Sequence, residues 1–179
     1  FNNDISLEGI RAICAAHRKL GTAWLLPTLI TDTAANTAKA IEAGIAAQYE
    51  GVPGFAGLHL EGPHLSVARK GAHDPALIRP MEKADLDRLL KAKDRLETLL
   101  VTVAPENVTQ DQISQMAKAG IIVSLGHSDC SYDTAMRCFE AGASMVTHLF
   151  NAMSQLTNRE PGLVGAALAA SVNAGLIAD

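Results

Sequence analysis

No apolar run in this 179-residue chain approaches the roughly 20 residues that a membrane-spanning helix needs. The opening Phe1-Asn2-Asn3-Asp4 lacks the basic-then-apolar plan of a secretory leader. Basic charge is not in excess: the net charge is −4 and the pI about 5.8, so no overall field recruits nucleic acid or an anionic membrane. An anionic substrate must therefore be held by a local site. The 3 cysteines (Cys14, Cys130, Cys138) are odd in number and form no CxxC pair, which argues against a disulfide framework and for a reducing, cytoplasmic setting. Glycine fingerprints of the GxGxxG or P-loop type are missing, which argues against a dinucleotide or nucleoside-triphosphate site.

What is there is an ordinary globular composition, 48% hydrophobic and 19% charged, with room for a real core. The first residue is not Met and the last follows an apolar run, so both ends are expected to continue into a longer polypeptide. Apolar segments with strand character start near residues 24, 56, 99, 121, 144 and 174. A helical pattern separates each from the next. Ser6 opens the first helix, Thr31-Asp32-Thr33 the second, Thr109 with Gln112 a capping box, and Ser131 or Asp133 a later one. Gly21, Gly120 and Gly142 stop three of them. Pro27 interrupts the strand Trp24 to Ile30 and makes it irregular or an edge.

Alternating strand and helix implies a parallel sheet. Chemistry at the C-terminal ends of successive strands favours an α/β fold of the TIM-barrel type over a doubly wound sheet. A whole barrel has eight strands and roughly 250 residues, so the expectation for 1–179 is an incomplete (β/α)8 barrel.

Three strand ends carry that chemistry. Ile121 to Leu125 leads into Gly126-His127-Ser128, and Ser144 to Val146 leads into Thr147-His148-Leu149, so two strands separated by one helix each deliver an imidazole. Upstream, Phe55 to Leu60 runs into Glu61-Gly62-Pro63. Period-2 alternation sets Gly57, His59 and Glu61 on one face and Leu58 and Leu60 on the other. A carboxylate turned inward is costly to bury without a cation. Glu61, His127 and His148 together would leave a divalent ion with an open coordination position, the arrangement of catalytic zinc. Such an ion suits hydrolysis of an amide or ester. Each residue has a plainer reading: a histidine finishing a strand, or a carboxylate capping a helix or pairing in a loop. The polar loop Leu65 to Pro80 is long enough to suggest a substrate-contacting lid, with a solvated loop as the alternative.

At this point the chain resembles a known family. Gly57-Leu58-His59-Leu60-Glu61-Gly62-Pro63, Lys70-Gly71-Ala72-His73, Gly126-His127-Ser128, Thr147-His148-Leu149-Phe150-Asn151-Ala152-Met153 and Arg159-Glu160-Pro161-Gly162-Leu163 look like the N-acetylglucosamine-6-phosphate deacetylases of the amidohydrolase superfamily. The five blocks stand in the family's order. The resemblance implies hydrolysis of N-acetyl-D-glucosamine 6-phosphate to glucosamine 6-phosphate and acetate. It implies that Glu61, His127 and His148 hold a divalent transition metal, zinc foremost. It also implies that Ala72 and His73 contact the sugar, that Asn151 and Ala152 meet the substrate, and that Arg159 faces the phosphate. A bidentate guanidinium there explains how an acidic chain binds an anion; a salt bridge to Glu160 or another loop carboxylate is the alternative. His73 or a neighbour is expected to steady the oxyanion, His59 to support the ligands from behind, and His64 to serve the loop or solvent only.

The resemblance also implies what 1–179 does not hold: an N-terminal sandwich with the first barrel strand, and a last strand bearing the general-base aspartate. The chain would then supply strands about two to seven. Asp179 would sit before the family's further His-containing loop and not be that aspartate. No catalytic acid or base is expected within the chain. The family implies a homodimer. The alternatives are deacetylation of the galactosamine epimer, a cyclic-amide hydrolase, or a catalytically silent barrel remnant that binds sugar phosphate.

Overall fold

The computed structural model of this protein shows six parallel strands side by side in chain order, with helices in the connections. The structure describes residues 1–178; Asp179, and with it the expectation about its role, lies outside the described residues. The elements run α1 (Leu7–Lys19), β1 (Thr28–Ile30), α2 (Ala34–Tyr49), β2 (Leu58–Glu61), α3 (Lys83–Lys93), β3 (Leu99–Val103), α4 (Gln110–Lys118), β4 (Ile122–Leu125), α5 (Tyr132–Glu140), β5 (Met145–Val146), α6 (Gly162–Ala169) and β6 (Asn173–Ala174). This is the expected α/β class, a parallel sheet built as an incomplete barrel.

The helix starts follow local chemistry. Ser6, Thr33 and Ser131 each accept a backbone N–H three residues on, and Thr109 with Gln112 closes a reciprocal capping box. The sheet's outer face is aliphatic. Leu58, Leu60, Leu99, Val101, Val103, Val123, Leu125 and Val146 share one core with Ile41 of α2, Leu86 and Leu89 of α3, Ile113 and Met116 of α4, Ala135 and Cys138 of α5, and Leu163 of α6. Burying each leucine or valine contributes about 1.5–3 kcal/mol. A smaller cluster, Ile10 and Cys14 with Ala47, Val52 and Phe55, seats α1 on α2.

The first strand is interrupted at Pro27 and stands at the edge of the described sheet, as the sequence reading has it: Leu25 bridges Phe55, and the ladder itself begins at Thr28. Pro27 stands between them with no N–H to give, although its carbonyl accepts from His59 N at 3.2 Å. Helix α3 ends at Lys93, and Leu96 reaches the core from the segment that follows. In α5 Ala135 and Cys138 are buried, with Met136 and Phe139 partly so. The ladder of β6 covers Asn173–Ala174.

The loop between Leu65 and Pro80 is exposed over more than half of its length and anchored to the core at a few points. It holds one 3₁₀ turn, Val67–Arg69, and buries Leu65, Ser66 and His73. Its far end is fastened by Asp85, whose carboxylate accepts from Arg79 Nη2 (2.7 Å), Arg88 Nη1 (3.1 Å) and the Glu82 backbone N–H (3.1 Å). His64 is buried and not the loop or solvent residue expected: its Nδ1 meets the Arg79 carbonyl at 3.0 Å and its Nε2 lies 3.9 Å from Asp85. Arg79 holds the Asp85 carboxyl well below the usual carboxylate range, burial opposing. The folded pKa thus lies below the unfolded value of about 3.9, so the stabilisation is fully present above about pH 4 and fades as pH falls through the lower folded value. Asp85→Asn should cost about 2 kcal/mol in urea unfolding at pH 7, less than for a fully buried pair because the Arg79 side chain is 36% exposed. The difference from wild type should shrink as the pH is taken into the acid range; a gap that stays constant with pH would refute the assignment.

Candidate active site

The register aligns the strand tips so that Ile30, Glu61, Thr102 and Ser124 stand in one row across β1 to β4. Glu61 is the last residue of β2 and is buried. The chain must leave the sheet at once, and Gly62 allows it at φ 84; a Cβ there would come within 2.2 Å of Thr31 Oγ1. His127 follows β4 by two residues, and His148 follows β5 by two.

Both histidines have left-handed backbones, φ 47 at His127 and φ 34 at His148, as do Phe150 (φ 77) and Ala152 (φ 49). Such a conformation costs a non-glycine residue on the order of 1–3 kcal/mol and persists only where its surroundings over-determine it. Here they do. The His127 carbonyl accepts from Ser66 N (2.8 Å), and the next residue, Ser128, donates its N–H to Ala152 O (3.2 Å). The His148 carbonyl accepts from Asn151 N (2.8 Å), and Leu149 N is held by Gly175 O (2.8 Å). The strained turns swing both rings back over the strand ends.

The three side chains converge. His127 Nε2 and His148 Nε2 lie 3.0 and 3.2 Å from Glu61 Oε1, and 3.0 Å from each other. On the other side of each ring, Nδ1 faces a carbonyl, Arg69 O at 2.8 Å for His127 and Asn151 O at 3.0 Å for His148. A carbonyl only accepts, so each neutral ring carries its proton on Nδ1 and turns a bare Nε2 inward. Two lone pairs and a carboxylate oxygen at these separations repel unless a proton or a cation joins them. Ligands about 2.0–2.1 Å from a tetrahedral zinc are spaced about 3.3 Å apart. The donor set and its spacing therefore fit a divalent metal, with Glu61, His127 and His148 as the group able to hold it.

The electrostatics agree. Burial acts to raise the Glu61 carboxyl, but where a proton joins the Nε2 atoms in place of a cation, N–H donation from the His127 and His148 rings outweighs it and holds the group ionised, below its usual range. The bond to Glu61 in turn raises the His148 imidazole, so an ion entering here competes with a proton.

His73 belongs to the same cluster but has the opposite tautomer. Its Nδ1 accepts from the Thr31 backbone N–H (3.3 Å) and meets Thr31 Oγ1 at 2.7 Å. The proton therefore sits on Nε2, which faces the site 3.9 Å from Glu61 Oε2. The ring lies 4.4 Å from that of His127, and burial pushes its pKa down to about 4, which keeps it neutral. His73 is thus a hydrogen-bond donor pointed at the cluster.

The remaining expected site residues are more dispersed. Ala72 is exposed and follows Gly71, where a Cβ would stand only 3.3 Å from His127 Cε1, so this loop runs along the ring. Asn151 is exposed and Ala152 half-buried in the turn after His148. Arg159 is exposed on the loop before α6. The alternative pairing of Arg159 with Glu160 is not formed among the described residues: Glu160 Oε1 instead accepts from Tyr132 N (2.8 Å) and Gly162 N (3.0 Å). His59 shares the face of Glu61, as alternation requires, yet bonds to none of the three. Residues two apart on a strand are about 6.6 Å apart, and its partners are Thr28 (2.9 Å), its register neighbour on β1, and Thr102 (2.8 Å) on β3.

Sequence reasoning missed Thr31, which sets the tautomer of His73, and Arg69, which serves the His127 strand end twice. The Arg69 carbonyl takes the His127 proton, and its Nε pairs with Asp129 Oδ1 at 2.8 Å. A backbone carbonyl leaves no mark on residue type, and no spacing rule links Arg69 to Asp129 across the loop.

No family model matches the chain. It is 46% identical, over its whole length and 45% of the relative, to an N-acetylgalactosamine-6-phosphate deacetylase from Shewanella sp. (strain ANA-3). It is 38% identical, over its whole length and 47% of the relative, to N-acetylglucosamine-6-phosphate deacetylase from Haemophilus influenzae. The crystal structure of N-acetylglucosamine-6-phosphate deacetylase from Pasteurella multocida superposes on all of the chain and 47% of its own, with a TM-score of 0.95 at 38% identity. A variant of the Mycobacterium smegmatis enzyme in complex with N-acetyl-D-glucosamine-6-phosphate covers 87% of the chain and 41% of its own, with a TM-score of 0.80 at 33% identity. The chain thus spans about half the length of the curated relatives it matches. By sequence along its whole length, and by fold, the chain belongs to the family of N-acetylglucosamine- and N-acetylgalactosamine-6-phosphate deacetylases.

Proposed function

We propose that this chain carries the metal site of a deacetylase that hydrolyses N-acetyl-D-glucosamine 6-phosphate to glucosamine 6-phosphate and acetate. The observation that carries the reading is the convergence of two bare Nε2 atoms and the Glu61 carboxylate at 3.0–3.2 Å, in a chain whose relatives bear that name. Glu61, His127 and His148 would hold the ion, zinc foremost. A divalent ion so held polarises a carbonyl and lowers the pKa of water toward about 7.

The chain's own residues take the other parts. His73 offers its Nε2–H to the oxygen on which negative charge develops. Ala72 lies against the sugar with it, and Asn151 and Ala152 meet the substrate from the His148 turn. Arg159 takes the 6-phosphate through its planar fork, which its exposed place on the loop leaves accessible. The proton transfers are assigned to an aspartate outside 1–179, in keeping with strands about two to seven of a barrel in a chain half the length of its relatives. A cytoplasmic homodimer completes the reading. No helix of the described residues is long and apolar enough to cross a membrane.

A second reading has a specific ground: the relative at 46% identity is named for the galactosamine epimer. Steady-state rates of acetate release from the two N-acetylhexosamine 6-phosphates, measured on the longer polypeptide that carries the assigned aspartate, decide between them. A higher kcat/KM on the glucosamine substrate is expected. Preference for the galactosamine epimer would select the second reading, and hydrolysis of neither would refute both.

A further inference from the structure

Directly beneath the metal site the sheet carries polar side chains on its inner face, where barrel interiors are usually filled by branched aliphatic residues. Ser124 Oγ meets Thr147 Oγ1 at 2.7 Å, Thr147 meets Thr102 Oγ1 at 2.7 Å, Thr102 meets His59 Nε2 at 2.8 Å, and His59 Nδ1 meets Thr28 Oγ1 at 2.9 Å. The row crosses β1 to β4 and the tip of β5. Its far end fixes its direction. Thr28 Oγ1 also bonds the Leu26 carbonyl (3.3 Å), which only accepts, so the Thr28 proton is committed there. Thr28 must then accept from His59 Nδ1–H. His59 Nε2, bare in the neutral ring, accepts from Thr102. Thr102 accepts from Thr147, and Thr147 from Ser124. Each hydroxyl has one proton, so this is the one assignment that satisfies every bond. It also leaves His59 no free nitrogen for a metal.

The row is joined to each ligand. Thr147 directly precedes His148, and His59 stands two residues before Glu61. Thr102, fully buried, gives its carbonyl to Gly62 N (3.1 Å), immediately after Glu61. Gly126, immediately before His127, sits so tightly on the row that a Cβ would come 2.9 Å from Thr102 Cγ2 and 3.1 Å from Thr147 Cβ.

We propose that this one-directional row is a positioning layer for the metal ligands, with Thr102 as its hub and His59, as the Nδ1–H tautomer, its only acceptor nitrogen. The proposal rests on the metal reading of Glu61, His127 and His148. Removing the Thr102 hydroxyl without changing its shape strands His59 Nε2 without a donor and Thr147 without an acceptor. The strand tips then lose the common register that spaces the ligands.

The test is the Zn2+ affinity of the purified protein, read by competition with a chromophoric chelator. Thr102→Val should bind about 10–100-fold more weakly than wild type, and Thr102→Ser should restore affinity to within about three-fold. The rise in melting temperature on adding Zn2+ should shrink in Thr102→Val, beyond any loss of stability in the metal-free protein. A purely structural threonine would lower both forms alike, and a Thr102→Val with wild-type Zn2+ affinity overturns the proposal. Should that variant fail to fold, 15N spectra of histidine-labelled wild type still decide. His59 must carry its proton on Nδ1, and a proton on Nε2 overturns the proposal. A wild-type protein that takes up no Zn2+ overturns the metal reading, and the positioning layer with it.

Discussion

Glu61→Gln, made in the longer polypeptide that carries the assigned aspartate, is expected to strip the site of metal and lower acetate release by about 10³-fold. Glutamine keeps the shape of the side chain and removes its charge. The site then offers two neutral imidazoles and an amide oxygen, with no anion to offset the charge of the ion. The carboxylate is also the shared partner of both rings: His127 and His148 each reach the same oxygen, Oε1. One substitution therefore unties both contacts. Several kcal/mol of transition-state stabilisation depend on the ion, and about 4 kcal/mol corresponds to 10³-fold in rate. Elemental analysis of the purified variant checks the first part and acetate release the second. Thermal unfolding gives an independent reading. An ion at about 100 times its dissociation constant stabilises the wild type by about 2.7 kcal/mol, and the variant should not respond to it. A Glu61→Gln protein that retains its metal would remove the basis of the assignment.

Arg159→Ala is expected to raise KM for the phosphorylated substrate by about 10–100-fold while kcat changes little. Hydrogen bonds to charged groups contribute about 1.5–3 kcal/mol, which is that range in affinity. The phosphate is remote from the acetamide, so the loss falls on binding and not on the chemical step. Two comparisons separate this from a general defect. Turnover of the N-acetyl sugar without phosphate should be the same in variant and wild type, because the arginine has nothing to hold there. Arg159→Lys should recover only part of the loss, since an ammonium supplies charge without the planar fork. Equal losses on both substrates would show that Arg159 shapes the loop instead of reading the phosphate. The geometry makes that outcome unexpected. The loop before α6 is already closed by Glu160, which caps Tyr132 N and Gly162 N without help from Arg159.

The chain's order of strands and helices was legible because it is written in short-range rules. Alternating aliphatic runs, serine and threonine caps and stopping glycines each act within a few residues. Six strands in parallel follow from them. The placement of Glu61, His127 and His148 at strand ends was legible for the same reason. The interruption of the first strand at Pro27 was legible too, because a missing N–H is written in the residue type. The packing of the connections was less so: Leu96 reaches the core from beyond the end of α3, because burial depends on where the chain comes to rest.

Other features had no local signature. His59 and Glu61 are two residues apart on one face, yet His59 bonds sideways to Thr28 and Thr102 and His73 closes in from a distant loop. His64 reads as a loop residue and is buried against Arg79 and Asp85. The proton positions are the clearest case. His127 and His148 carry theirs on Nδ1 because the carbonyls of Arg69 and Asn151 lie behind them, whereas His73 carries its own on Nε2 because the Thr31 N–H occupies Nδ1. Sequence alone determined which residues stand at the strand tips, since hydrophobic periodicity and capping are local. Only the tertiary structure decided which of their atoms face one another, because backbone carbonyls and left-handed turns gathered from distant loops orient each ring and carry no residue-type signal.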